Sequence, residues 1–329
     1  MTLAFAQLAL VAALLAAPLG VAAGEPTTAS EPSAQKTDLT VLCYNVHGLF
    51  PLAAKDDPRD RMPTIGWLAN RYEVAMFQED FEYHHVLRSQ MPASVSIRGN
   101  GMGWDPRRVL AKLLVWPVSI FLPHFSPPYG AGISIFVREP LAIAGDVDRK
   151  AFGICRGWFG SDGDCWARKG YQRVGIRMPN GSEIDLYNTH LEAGGNARAV
   201  AIRKQQLDVL ARAIEARPRT RALIVAGDFN SSLKRSGDRE TLLAFRHRLD
   251  LRDTGARPEL RSWRALDYIL YREGTATALR VEQAGEAGEF VERDRALSDH
   301  PALYARFQIT PLTSVQDARH LVRPEVSAK

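Results

Sequence analysis

Cysteine is scarce, three residues in a chain of 329, and no second Cys pair or His pair stands at metal-ligand spacing, which leaves a zinc module without a ligand set. No internal repeat is visible in the sequence. Charge of one sign is also missing, since 42 Lys and Arg face 37 Asp and Glu. The net charge of +5 favours an anionic partner, nucleic acid or a lipid surface, without choosing between them. With 46% apolar and 24% charged residues, the composition is that of an ordinary globular protein, neither disordered nor membrane-embedded. The length suits a single two-layer α/β enzyme.

Lys and Arg are absent from the first apolar stretch, Met1 to Ala23, which ends in the small-residue pattern Val21-Ala22-Ala23. Residues 1–23 read as a signal peptide, and the Ser-, Thr-, Pro- and Glu-rich residues 24–37 as a flexible linker. The catalytic domain is expected over 38–310 and a C-terminal tail over 311–329. The alternative for residues 1–23 is a retained anchor, because about 20 apolar residues also span a bilayer. No Cys follows closely, which argues against a lipoprotein anchor. A secreted or periplasmic location is expected. Cys43, within an apolar strand pattern, reads as a buried small hydrophobe. Cys155 and Cys165 flank a Gly-rich loop and are expected to form a disulfide in an oxidising compartment.

Short apolar runs recur with helical segments between them. Strands are expected at 38–45, 73–78, 94–98, 132–137, 172–177, 183–189, 222–226, 266–271 and 302–308, and helices at 61–71, 197–216 and 239–249. In the second helix Val200, Leu207, Leu210 and Ile214 share one face, while Arg203, Lys204 and Arg212 are expected to point outward. The pattern implies an α/β fold with two packed sheets and helices outside. One segment stands apart. Trp104 to Phe125 is apolar, carries Arg107, Arg108, Lys112, Trp104 and Trp116, and is too short to cross a bilayer. It reads either as an interfacial, lipid-touching segment or as a helix beneath the rim of the active site.

Phosphoester hydrolysis needs a hard cation, oxygen ligands, and groups that activate water and support the leaving oxygen. Six short segments supply such groups, mostly at strand ends: Tyr44-Asn45-Val46, Gln78-Glu79, Asn188-Thr189-His190, Gly227-Asp228-Phe229-Asn230, Leu266-Asp267-Tyr268 and Ser298-Asp299-His300. Gly-Asp-x-Asn after four apolar residues is the most specific of them. Asp267, inside an apolar strand, needs a partner, and His300 is the obvious one.

In this order the six segments resemble the endonuclease/exonuclease/phosphatase superfamily, from about residue 38 to 309. The resemblance implies a four-layer α/β/β/α sandwich with two packed mixed sheets, the site at one edge, and Mg²⁺ as cofactor with Mn²⁺ able to substitute. It implies that Glu79, assisted by Asn45, holds the metal, with Asp299 nearby. Asp228 would orient or deprotonate water, and Asn230 would hydrogen-bond a phosphoryl oxygen. His190 would contact the phosphate and assist the leaving oxygen, and His300, set by Asp267, would act as general base. The residues alone leave open which His is base and whether one metal or two act.

Within that superfamily, the run from Cys165 to Val174 and the Asn188–Ala193 segment resemble bacterial neutral sphingomyelinases, as do Ile202-Arg203 and Gln206-Leu207. Lys169 would then meet a phosphate as a point charge, the alternative being a solvated loop cation. The substrate implied is a phosphodiester, sphingomyelin or a related phospholipid. A secreted nuclease cleaving DNA or RNA is the second reading. A catalytically inactive membrane- or DNA-binding module is the third.

Overall fold

The structure is a computed structural model that describes residues 35–49, 51–54, 56–110, 113, 130–158, 164–255 and 266–312. The expected signal peptide, most of the linker and almost all of the tail lie outside the described residues, as does most of the segment after Trp104.

In chain order the elements are β1 (Thr37–Asn45), α1 (Pro51–Ala54), α2 (Pro58–Ala69), β2 (Val74–Gln78), α3 (His84–Ser89), β3 (Ser94–Arg98), β4 (Ile133–Arg138), β5 (Ala142–Ala151), β6 (Gly170–Arg177), β7 (Glu183–His190), α4 (Ala197–Glu215), β8 (Ala222–Asp228), α5 (Ser236–Leu249), β9 (Arg252–Asp253), β10 (Asp267–Arg272), β11 (Thr277–Glu286), β12 (Val291–Glu292), β13 (Arg295–Ala296) and β14 (Leu303–Pro311). They form two six-stranded sheets, in the orders β11-β14-β1-β2-β4-β3 and β5-β6-β7-β8-β10-β9, with a small β12-β13 hairpin. Each large sheet has one central parallel pair, β1 with β2 and β7 with β8, among antiparallel neighbours. A parallel pair needs a crossover, and α2 and α4 provide it.

Period-2 alternation sorts the side chains into layers. Val41 and Cys43 of β1 face the core between the sheets, with Met76, Ile135, Ile184, Leu186, Ile224 and Ile269. Leu42 and Tyr44 face the other way and pack on Met62, Ile65 and Leu68 of α2. On the far side, Tyr187 and Val225 pack on Leu207, Leu210 and Ile214 of α4 and on Phe245 of α5. Both faces of each central strand are therefore buried, and the strands read as continuous apolar runs. The result is the α/β/β/α sandwich expected from the sequence.

All nine expected strands are present. The sequence did not reveal β5 and β11, which are sheet edges with largely exposed, charged residues and a register shift in each. Edge strands lack the apolar run that marks a buried one. One expectation is overturned. Arg203 of α4 does not point outward but is 1% exposed, paired with Asp238.

Candidate active site

Strand register builds the site. In the second sheet His190, Asp228 and Asp267 lie side by side, since His190 pairs with Asp228 and Asp228 with Asp267 across three neighbouring strands. In the first sheet Asn45 pairs with Gln78, and Glu79 follows at once. A polar lock between the sheets fixes the two edges: Gln78 Nε2 donates to Asn188 Oδ1 at 2.8 Å, and Asn188 Nδ2 donates to the carbonyls of Phe77 and Ser134. Gly227 permits the close approach of β7 and β8. Its φ is +150°, and a Cβ there would lie 2.0 Å from the Thr189 carbonyl oxygen.

Asn45 bridges the two halves. Its Nδ2 donates to Glu79 Oε1 at 3.2 Å and to Asp228 Oδ2 at 3.0 Å, while its Oδ1 accepts from the His47 N–H. In this arrangement Asn45 holds two carboxylates together and offers them no oxygen. Asp228 Oδ1 accepts from the Asn230 N–H at 2.8 Å, and Asn230 Nδ2 donates to the Leu191 carbonyl. His300 Nδ1 lies 2.8 Å from Asp267 Oδ2, the pairing expected for a buried carboxylate. His190 Nε2 stands 3.5 Å from Asp228 and 3.9 Å from Glu79. Asp299 is at the margin of this cluster, its side chain 58% exposed, and meets His47, whose Nδ1 is 3.3 Å from Asp299 and 3.7 Å from Glu79. His47 was not singled out in the sequence, although it follows Asn45 by two residues. His47, Glu79 and Asn230 all adopt positive φ without being glycine, a strain of the kind that gathers at functional sites.

The electrostatics separate the two histidines. Burial and the nearby Lys169 lower His190 to about 3, so its ring is neutral at physiological pH. Burial also opposes the charge on His300, but Asp267 and Asp228 outweigh it and raise it well above an ordinary histidine. Burial, reinforced by Asp267, lifts Asp228 to about 7. Burial likewise opposes Glu79, yet the facing His47 with His190 and Lys169 holds its carboxyl well below the usual range. Lys169 is not a solvated loop cation. It is buried, 2.7 Å from Asp164 and donating to the Leu191 carbonyl. Asp164 adjoins the Cys155–Cys165 disulfide, whose Cα atoms are 5.3 Å apart. Cys43 is free and buried.

The donors of Glu79, His190 and Asp228 lie within 4.8 Å of one another, as do those of Asp228, Asp267 and His300. Glu79 Oε2, Asp267 Oδ1 and His190 Nδ1 are buried without a hydrogen-bond partner. Glu79 belongs to the first group and Asp267 to the second, and their buried unsatisfied carboxylate oxygens fit a hard divalent cation. A cavity of about 690 Å³ opens at the same sheet ends beyond Glu79, bordered by Phe81, Arg98, Asn100 and Met102.

Residues 42–300 match the model of the Endonuclease/Exonuclease/phosphatase family, and the chain belongs to that family. A sphingomyelinase of Mycobacterium bovis is 29% identical over 283 residues, covering 80% of this chain and 51% of that relative. The chain thus spans about half the length of the curated relatives it matches. Sphingomyelinase C from Streptomyces griseocarneus superposes with a TM-score of 0.58 at 17% identity, over 82% of this chain and 99% of that one. A double mutant of beta toxin from Staphylococcus aureus with bound magnesium ions gives 0.55 at 16% identity, over 82% and 99%. These two likenesses establish the fold.

Proposed function

We propose that the protein is an exported, Mg²⁺-dependent phosphodiesterase acting on sphingomyelin or a related phospholipid. The observation that carries the chemistry is the convergence of Glu79, His190, Asp228, Asp267 and His300 at one edge of the paired sheets. Glu79 and Asp228, with Asn45 between them, are the residues that would hold the cation, and Asp299 faces them across His47. A divalent cation there would polarise the phosphoryl group and neutralise developing charge. Asp228 takes the proton of the attacking water, and His300, its ring fixed by Asp267 and its Nε2 3.9 Å from Asp228 Oδ2, stabilises the charge beside it. Neutral His190 hydrogen-bonds the phosphate and supports the leaving oxygen. Asn230 orients a phosphoryl oxygen from the next turn.

The lipid reading is supported by the sphingomyelinase likeness and by the start of the apolar segment. Trp104 is 89% exposed, and Leu110 and Leu113 are more than half exposed. Arg107 and Arg108 stack on Trp158, so basic and aromatic groups share this surface. Export is supported by the disulfide, since such bonds persist in oxidising compartments. The test is hydrolysis by purified protein, with Mg²⁺ and with chelator, of sphingomyelin, phosphatidylcholine, plasmid DNA and RNA. Sphingomyelin turnover that stops in chelator is expected. Efficient cutting of DNA or RNA without lipid turnover replaces this reading with the nuclease one.

A further inference from the structure

The two halves of the sandwich repeat one unit, strand–loop–helix–strand, and the helix of each unit buries an arginine against the loop that precedes it. In the first, β1 ends at Asn45, the chain passes through Val46 and His47, and α2 carries Arg61 before β2 delivers Glu79. In the second, β7 ends at His190, the chain passes through Glu192 and Gly194, and α4 carries Arg203 before β8 delivers Asp228. Arg61 is 6% exposed and Arg203 1%.

Each guanidinium clamps two loops. Arg61 Nη1 donates to the carbonyls of Val46 and Leu297, and its Nη2 donates to that of His47 at 2.6 Å. Leu297 immediately precedes the Ser298-Asp299-His300 turn, and Ser298 Oγ donates to the Asn45 carbonyl. Asp56 balances the charge, 3.1 Å from Arg61 Nε. Arg203 Nη1 donates to the carbonyls of Glu192 and Gly194, both at 2.8 Å. Its Nε and Nη2 hold Asp238 Oδ1, and Asp238 Oδ2 accepts from the Ser232 N–H and pairs with Arg235, which donates to the Asn230 carbonyl. Gln206, one turn further along α4, accepts from the Glu192 N–H at 2.8 Å.

We propose that Arg61 and Arg203 are positioning residues with separate tasks. Arg61 sets the His47–Glu79–Asp299 side, where the cation would be held. Arg203 sets His190 against Asp228 and Asn230, where the leaving oxygen is supported. A buried ion pair is a weak stabiliser, because desolvation offsets most of its attraction. A planar fork that ties two or three carbonyls and a carboxylate at fixed spacing is a geometric device that lysine cannot reproduce. Neither arginine touches substrate in this arrangement, and both act through the loops they hold. The inference rests on the phosphodiesterase reading, but two of its tests need no turnover.

The experiment uses the full chain with Arg61→Lys and Arg203→Lys. Mg²⁺ binding by calorimetry is expected to weaken about 10–100-fold in Arg61→Lys and to stay within about twofold in Arg203→Lys, the range typical of groups that orient ligands. The NMR ring signals of His190 are expected to move in Arg203→Lys and to stay in place in Arg61→Lys. If wild-type protein turns over a small soluble phosphodiester, Arg203→Lys should lose about 10–100-fold in kcat with little change in KM. Absence of wild-type turnover refutes the function and leaves the first two measurements intact. Where a lysine variant does not fold, Ser298→Ala removes the bond to the Asn45 carbonyl on the Arg61 side and Gln206→Met releases the Glu192 N–H on the Arg203 side, and neither takes the charge partner from an arginine. Unchanged Mg²⁺ affinity and unmoved His190 signals in folded variants, or equal effects from both arginines, overturn the assignment.

Discussion

Replacing Asp228 by Asn should abolish Mg²⁺-dependent turnover and, at alkaline pH, make the metal-free protein more stable. Asp228 is 1% exposed, and burial with Asp267 beside it lifts its carboxyl to about 7. The gap from an ordinary aspartate at 3.8 corresponds to roughly 4 kcal/mol of ionisation penalty. The sign follows from proton linkage: the folded state keeps a proton that the unfolded chain releases, so stability is lost as pH rises from about 4 and the loss levels off above about 7. Asn cannot ionise and avoids that loss. It also forfeits one acceptor, because Asp228 receives both the Asn230 N–H and Asn45 Nδ2, at a cost of about 1 kcal/mol. The attraction of His300 for ionised Asp228 is already contained in the value of about 7, so a net gain of about 3 kcal/mol is the expectation at pH near 8. At about pH 4.5 the linkage gain and the lost acceptor, about 1 kcal/mol each, should cancel and leave the two nearly equal in stability. The assay is urea unfolding of chelator-treated wild type and variant across that range. A stability difference that does not vary with pH, or a variant that is less stable throughout, would refute the reasoning.

Asp267 and His300 should behave as one unit, so Asp267→Ala with His300→Ala should cost little more kcat than His300→Ala alone, and fully additive losses in a double-mutant cycle would mean they are not paired in function. Gly227→Ala should destabilise the protein by about 3 kcal/mol or more and abolish hydrolysis, since the new Cβ meets backbone that cannot give way; urea unfolding and turnover at saturating Mg²⁺ check both. Trp104→Ala should weaken binding to phospholipid vesicles while sparing a small soluble phosphodiester, and an equal loss on both substrates would separate the exposed Trp from lipid contact.

Much of the candidate site was legible because four of its side chains sit where an apolar run stops. Asn45, Glu79, His190 and Asp228 all fall at or just beyond a strand end, and register then brings the strand ends together. Asp267 was legible for the opposite reason, a carboxylate where the pattern demands burial. Asp299 was put near the metal by the resemblance alone, and its side chain is 58% exposed, 3.3 Å from His47 Nδ1. The repeated strand–helix–strand unit was invisible in the sequence because the two halves share a topology rather than residues.

The misplacement of Arg203 shows what the helical pattern does reveal. Val200, Leu207, Leu210 and Ile214 recur at three- and four-residue spacing, and 203 is the position that completes the series between 200 and 207. Assigning it to the outer face followed from its charge, not from its phase. Arg61 has the same standing in α2, four residues before Ile65 and on the stripe with Met62 and Leu68. A charged residue in phase with an apolar stripe must either break the helix packing or be fully paired beneath it. Both arginines are paired, and their partners are carbonyls of the loops that carry the candidate active-site residues. Phase against charge is therefore the sequence signal that finds the clamps. It locates them without any knowledge of the fold, because it asks only which face of a helix a residue occupies and whether its chemistry belongs there.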